Sequence, residues 1–252
     1  MKLLSLFVFL FLSEQFLFAQ PPAAIESDLL KLFKKIDYHS KDYAAANTEF
    51  GKKLAYYAEK YPATINQDFK LLKKAHLYIS TSADGLYRIY SWESFTDGNV
   101  TWFENVTQYK AGARTFSSFY SSADGDYGDI RPKDEQIFTL KYNRKTYYLV
   151  VYISVDSTPD VVGGIQAFTI DDGKLTGANL FQTIADLRTN ELTYGYNFSS
   201  ITGKSIIKKP VVNFDSKNLT IRLVLADTTN GNLAYKHYLY KFNGQYFKKV
   251  KN

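Results

Sequence analysis

The run Leu71-Leu72-Lys73-Lys74-Ala75-His76-Leu77-Tyr78-Ile79-Ser80-Thr81-Ser82-Ala83-Asp84-Gly85-Leu86-Tyr87-Arg88-Ile89-Tyr90-Ser91-Trp92 holds the change of period that decides the fold. Up to Ala75 the apolar residues recur at helical spacing, and beyond it they alternate with a period of two, with Asp84-Gly85 as a turn between two strands. A chain that is helical before this point and extended after it is α+β. The expected organisation is a helical segment over 20–74, packed on an antiparallel β domain over 75–252.

Towards the N terminus, three helical stripes are separable. Ile25, Leu29, Leu32 and Ile36 form the first. Phe50, Leu54, Tyr57, Ala58 and Tyr61 form the second, which opens after Ser40 and stops at Pro62, a residue that cannot continue a helix. Thr64 and Gln67 have capping-box spacing for a third, with Ile65, Phe69 and Leu72 along one face. Towards the C terminus twelve strands are expected: 77–81, 86–92, 100–109, 115–120, 136–142, 146–155, 165–170, 192–198, 211–214, 219–225, 235–242 and 245–250. Asn143-Arg144, Asp172-Gly173 and Asn243-Gly244 lie between them as turn signals. Thr146 to Val155 is apolar on both faces and belongs in the middle of the domain, and Phe181 to Leu187 reads as a short helical turn. Ser82-Ala83-Asp84-Gly85 recurs forty residues on as Ser122-Ala123-Asp124-Gly125, close to the period of a propeller blade. The expectation is a sandwich, barrel or meander with helices on one side, the alternative an irregular small β-propeller.

Residues 1–19 read as a signal peptide: Met1-Lys2, an apolar run from Leu3 to Leu12, and Ala19 just before Gln20-Pro21-Pro22. Glu14 interrupts the apolar stretch too early for a spanning helix, so no transmembrane segment is expected in the mature chain. The chain has no cysteine, which excludes disulfides, a thiol nucleophile, Cys metal ligands and a lipidated cleavage site. Net charge is +6 with scattered lysines, the pattern of a solvated surface and not of a nucleic-acid partner.

The stretch Ser82 to Trp92 resembles a motif in uncharacterised exported proteins of the Bacteroidota, and Tyr240-Lys241-Phe242-Asn243-Gly244-Gln245-Tyr246-Phe247 is similar to the last hairpin of such β-rich proteins. The resemblance implies a periplasmic or extracellular setting and no particular activity. Asp156-Ser157-Thr158 and Asp227-Thr228-Thr229 are similar to the O-glycosylation acceptors of those bacteria.

Three sets of residues carry candidate chemistry. Trp92 and Trp102 flank the Asp97-Gly98 turn and are candidates for an aromatic platform under a sugar ring. Glu93 and Glu104 beside them are the candidate acid and base of a glycan hydrolase, although flat strands put Glu93 and Trp92 on opposite faces. Asp124, Asp126 and Asp129 offer three hard oxygens in one loop and are candidates for a structural Ca²⁺ site. His39, His76 and His237 share no ligand or triad spacing. The reading is an exported, non-catalytic binding or structural protein of the periplasm or cell surface, with a glycan or an envelope protein as partner. The alternative is a glycan-active hydrolase using paired carboxylates.

Overall fold

The computed structural model describes residues 22–37, 39–97, 100–120, 133–155, 160–183, 187–197, 211–227 and 234–250. The helical part opens with α1 (Pro22–Phe33) and α2 (Tyr43–Lys60), followed by a 3-10 turn (Pro62–Asn66) and the single-turn helix α3 (Lys70–Lys74). The first two follow their apolar stripes, with Ile25, Leu29, Phe50 and Leu54 buried. The expected third helix is instead broken at Phe69, whose backbone is left-handed (φ 47°). Thr64 does not cap it: its hydroxyl donates to the Tyr61 carbonyl at 2.7 Å and receives Gln108 Nε2 at 2.9 Å. The backbone N–H groups of Leu71 and Leu72 go to Glu26 of α1 instead (2.7 and 3.2 Å).

All twelve expected strands form. Sheet I is the meander β1 (Tyr78–Thr81), β2 (Tyr87–Asp97), β3 (Val100–Ala111) and β4 (Arg114–Tyr120). Sheet II contains β5 (Lys133–Tyr142), β6 (Lys145–Val155), β7 (Asp160–Asp171) and β8 (Lys174–Gly177). The remaining strands are β9 (Phe181–Gln182), β10 (Arg188–Thr189), β11 (Glu191–Asn197), β12 (Val211–Asp215), β13 (Thr220–Asp227), β14 (Ala234–Phe242) and β15 (Phe247–Val250). Strand β11 joins sheet II beside β7, and sheet III runs β10-β9-β15-β14-β13-β12. Edge to edge, sheets I and II pair among the described residues at Thr101 with Val155. Among the described residues every pairing is antiparallel except β9 with β15. That pairing corrects the expected helical turn at Phe181–Leu187: Phe181 is fully buried, stacked on Phe247 at 5.8 Å, and its backbone is extended.

Alternation along the strands turns these sheets into layers. In sheet I, Tyr90, Trp92 and Val106 face the helices, while Tyr87 and Ile89 face sheet II. In β6, Tyr148 and Val150 pack towards sheet I, whereas Leu149 and Val151 pack on Ile221, Phe242 and Phe247 of sheet III. The order is therefore helices, sheet I, sheet II, sheet III. Since sheet I spends one face on helices and the other on sheet II, the meanders make an open stack and not the closed ring of a propeller. The doubly apolar run Thr146–Val155 sits where both faces are covered, as its composition requires.

Buried polar side chains fix the helices on sheet I. Trp92 Nε1 donates to Asn47 Oδ1 at 2.8 Å, and the ring packs edge-on to Phe50 and stacked on Phe119. Gln108, with no exposed surface, donates to the Ala58 carbonyl at 2.6 Å and accepts from the Tyr90 hydroxyl at 2.8 Å. Burial pushes the Tyr90 hydroxyl up to a pKa of about 12, so it stays a donor. Gly51 of α2 lies against the Phe119 ring, where a Cβ would overlap ring carbons. Gly51→Val is expected to lower stability by about 1–3 kcal/mol through overpacking, despite the better helix propensity of valine. Urea denaturation of both proteins measures the difference, and an unchanged midpoint would show that the ring has room to retreat.

Candidate functional site

In a meander, the turns that leave odd-numbered strands all return to one end. In this stack the β3–β4, β5–β6 and β7–β8 turns gather at the same end of the seam between sheets I and II, beside Leu86 at the start of β2. They border an open cavity of about 510 Å³, within the usual range for small-molecule sites. Lys110 stands at the end of β3 and is held by its backbone N–H to the Leu86 carbonyl at 2.9 Å. Arg144 and Lys145 come from the β5–β6 turn, and Asp171 from the end of β7. Thr146, Thr169 and Ile170 complete the wall, with Tyr148 as the floor.

The floor is rigid. Tyr148 is 1 % exposed, its ring packs edge-on to Tyr87 at 5.4 Å, and its hydroxyl donates to Asp84 Oδ2 at 3.2 Å. Burial first, and the Asp84 carboxylate second, raise its pKa well above that of a free tyrosine, so it is a fixed donor and not a base. The other Asp84 oxygen accepts from the Ser82 hydroxyl at 2.6 Å and the Leu86 N–H at 3.1 Å. Ser82-Ala83-Asp84-Gly85 is thus a self-bonded turn bracing the pocket floor; its echo at Ser122 to Gly125 lies outside the described residues.

Three cations face one acid in this lining, and none of Lys110, Arg144 and Lys145 forms a salt bridge among the described residues. Uncompensated donors around a concave, partly apolar space suit an anionic ligand.

At the opposite end of the same seam lies a carboxyl cluster. The Asp134 N–H donates to Ser91 Oγ at 3.3 Å, and that hydroxyl donates to Asn105 Oδ1 at 2.5 Å, tying β5 to sheet I. Tyr152, cross-strand partner of Asp134, lies over Gly164, where a Cβ would overlap its ring. Its hydroxyl donates to Glu191, which also receives Gln166 Nε2 at 3.4 Å. Asp134 is half-buried as a residue, but its carboxyl group is surrounded by protein, and that desolvation pushes its pKa up to about 7.

The residues singled out in the sequence land elsewhere. Trp92 is a core residue with no exposed surface and offers no ring face to a sugar, which corrects the expected platform. Glu104, 2 % exposed, is its cross-strand partner on the helix-facing side of sheet I, together with half-buried Trp102. Glu93 is exposed on the other face, so the structure does not bring Glu93 and Glu104 together. Asp124, Asp126 and Asp129, and the serine and threonines of the two glycosylation-like patterns, lie outside the described residues. Lys110, Arg144 and Lys145 escaped sequence reading because they are ordinary surface cations until the meander gathers their turns. The available signal was Arg144 itself, occupying a turn position that suits glycine.

No protein-family model matches the chain, and no curated protein or solved structure matches it.

Asp134 makes stability depend on pH. Because its folded pKa is raised, its contribution is fully present below the ordinary Asp value of about 4 and is lost as pH rises through about 7. The slope in that window is about 1.4 kcal/mol per pH unit. Asp134→Asn removes this term, so urea denaturation from pH 5 to 8 is expected to show the variant gaining on the wild type as pH rises. A difference that stays constant with pH would contradict it.

Proposed function

We propose that this is an exported, non-catalytic binding protein that holds a small organic anion in the pocket between sheets I and II. The observation that carries this reading is the set of three cations, without salt-bridge partners among the described residues, around one cavity of ligand size. Two lysines and an arginine give long-range attraction and charge-assisted hydrogen bonds, while a rigid floor keeps the space open. The walls supply hydroxyls and apolar carbons, which discriminate among bodies attached to the anionic group.

Export is supported by the basic start, apolar run and Ala19 of the first residues, and by the similarity of Ser82 to Trp92 to exported proteins. No helix among the described residues is long and apolar enough to cross a membrane. The working compartment in this reading is the periplasm or the cell surface, where the partner is an acidic metabolite or an acidic group on an envelope glycan.

Thermal melts with glucuronate, glucose 6-phosphate and neutral glucose test the reading. At about a hundred times its dissociation constant, a bound anion adds about 2.7 kcal/mol, a rise of about 5–10 °C for a chain of this size. The rise is expected with an anionic probe, is absent with glucose, shrinks as salt is added, and disappears in the double variant Lys110→Glu, Lys145→Glu. An equal response to glucose, or a response that survives the double charge reversal, would place binding elsewhere.

A further inference from the structure

The turns that border the pocket solve the same conformational problem in different ways. A two-residue hairpin of type I′ needs positive φ at both central positions and one of type II′ at the first, and a residue with a Cβ is strained there unless it is Asn or Asp. The β7–β8 turn satisfies this with Asp172 at 46° and Gly173 at 79°. The β3–β4 turn uses Gly112 at 60°, and the β1–β2 turn uses Gly85 at 69°. The β5–β6 turn has Asn143 at 46°, as expected, but its second position is Arg144 at 63°.

Nothing within the described residues compensates this choice. Arg144 is exposed, and it makes no hydrogen bond, salt bridge or ring contact there. Glycine would remove the strain at no loss of internal contacts, as it does across the pocket at Gly173. A long cation kept in a left-handed conformation, at the mouth of a cavity, is a strained residue whose use lies outside the folded chain.

Building on the anion pocket described above, we propose that Arg144 is the anchoring residue of that pocket and that the ligand is a phosphorylated polyol of about sugar size. The lining carries three positive charges against the single carboxylate of Asp171, a surplus that a phosphomonoester with its charge of about −1.5 to −2 neutralises and a lone carboxylate does not. The guanidinium presents parallel N–H donors that fit two phosphate oxygens at once, while Lys110 and Lys145 act as point charges. The cavity of about 510 Å³ is far larger than a bare phosphate needs, so a body accompanies the anion. Thr146, Thr169 and Asp171 give that body hydroxyl partners: Thr146 donates or accepts, Thr169, whose hydroxyl already donates to the Thr146 carbonyl at 3.1 Å, accepts, and the carboxylate accepts.

Calorimetric titration at low ionic strength with glucose 6-phosphate, inorganic phosphate and glucuronate, on the wild type, Arg144→Gly and Arg144→Lys, tests this. The wild type is expected to bind glucose 6-phosphate at least tenfold more tightly than either other probe. Arg144→Gly is expected to lose at least tenfold in that affinity while its melting temperature without ligand rises by about 2–4 °C, the mark of strain kept for binding. Arg144→Lys retains the charge and the strain, loses the fork, and falls between the two. Unchanged affinity in Arg144→Gly overturns the anchoring role and leaves the anion pocket standing, as does a lost affinity accompanied by a lower melting temperature. Glucuronate binding as tightly as glucose 6-phosphate overturns the phosphate assignment alone. A wild type that binds none of the three probes overturns both the pocket reading and its anchor.

Discussion

A buried guanidinium that has no salt bridge among the described residues sets the geometry of the helical layer. Arg88 lies on β2 with 5 % of its surface exposed, and a charge in that position must be met by donors' counterparts from every side. It donates to the carbonyls of Thr64 at 2.5 Å and Gln67 at 2.8 Å, and to the Thr81 hydroxyl at 2.8 Å. The rings of Phe69 and Tyr90 flank it at 5.9 and 5.3 Å. The two carbonyls come from the end of the 3-10 turn, so the helical chain must stop there and present them. That demand explains why Phe69 turns left-handed and why α3 is a separate short helix capped from a distance by Glu26. Gln108 and Asn47 extend the same arrangement along α2, and each bond to a charged or buried group is worth about 1–3 kcal/mol, chiefly as the penalty of losing it.

From that anchored layer outward, the stack follows from alternation alone. Sheet I hands its second face to sheet II, and sheet II hands its own to sheet III, so the middle of each of these two sheets is covered on both faces. Chains of this kind need small residues where large rings cross the backbone. Gly163 and Gly164 of β7 supply them, one under Tyr194 and the other under Tyr152, each its cross-strand partner. The seam between sheets I and II is then closed in its middle by Tyr87, Ile89, Tyr148 and Val150 and stays polar at both ends. One end is the cationic pocket; the other is the Asp134, Tyr152 and Glu191 cluster. Opposite charge at the two ends of one seam is a consequence of which turns and strand starts the meander places there.

Much of the fold was legible residue by residue, and little of the site was. The period of two from Leu77 onward located every one of the twelve expected strands, because a half-buried strand writes its burial into its alternation. Short elements failed for the complementary reason: Phe181 and Gln182 are too few to show a period, and their state was decided by Phe247 reaching them from the far end of the chain. Trp92 misled because sequence gives a tryptophan's strand and parity but not what covers that face. Asn47, forty-five residues away, turned it into a core residue with a satisfied indole N–H.

Sequence by itself determined the class of structure: a helical segment, a switch at Ala75, turns at Asn143-Arg144 and Asp172-Gly173, and a central strand apolar on both sides. These are local properties, set by steric and hydrophobic patterns within a few residues. Tertiary structure alone decided which helix end Arg88 would fix, which carboxyl would be stripped of water, and that Lys110, Arg144 and Lys145 would share one cavity. Each of those depends on distances between residues remote in the chain, and a charge has no partner, or lack of one, until the fold has brought its neighbours into place.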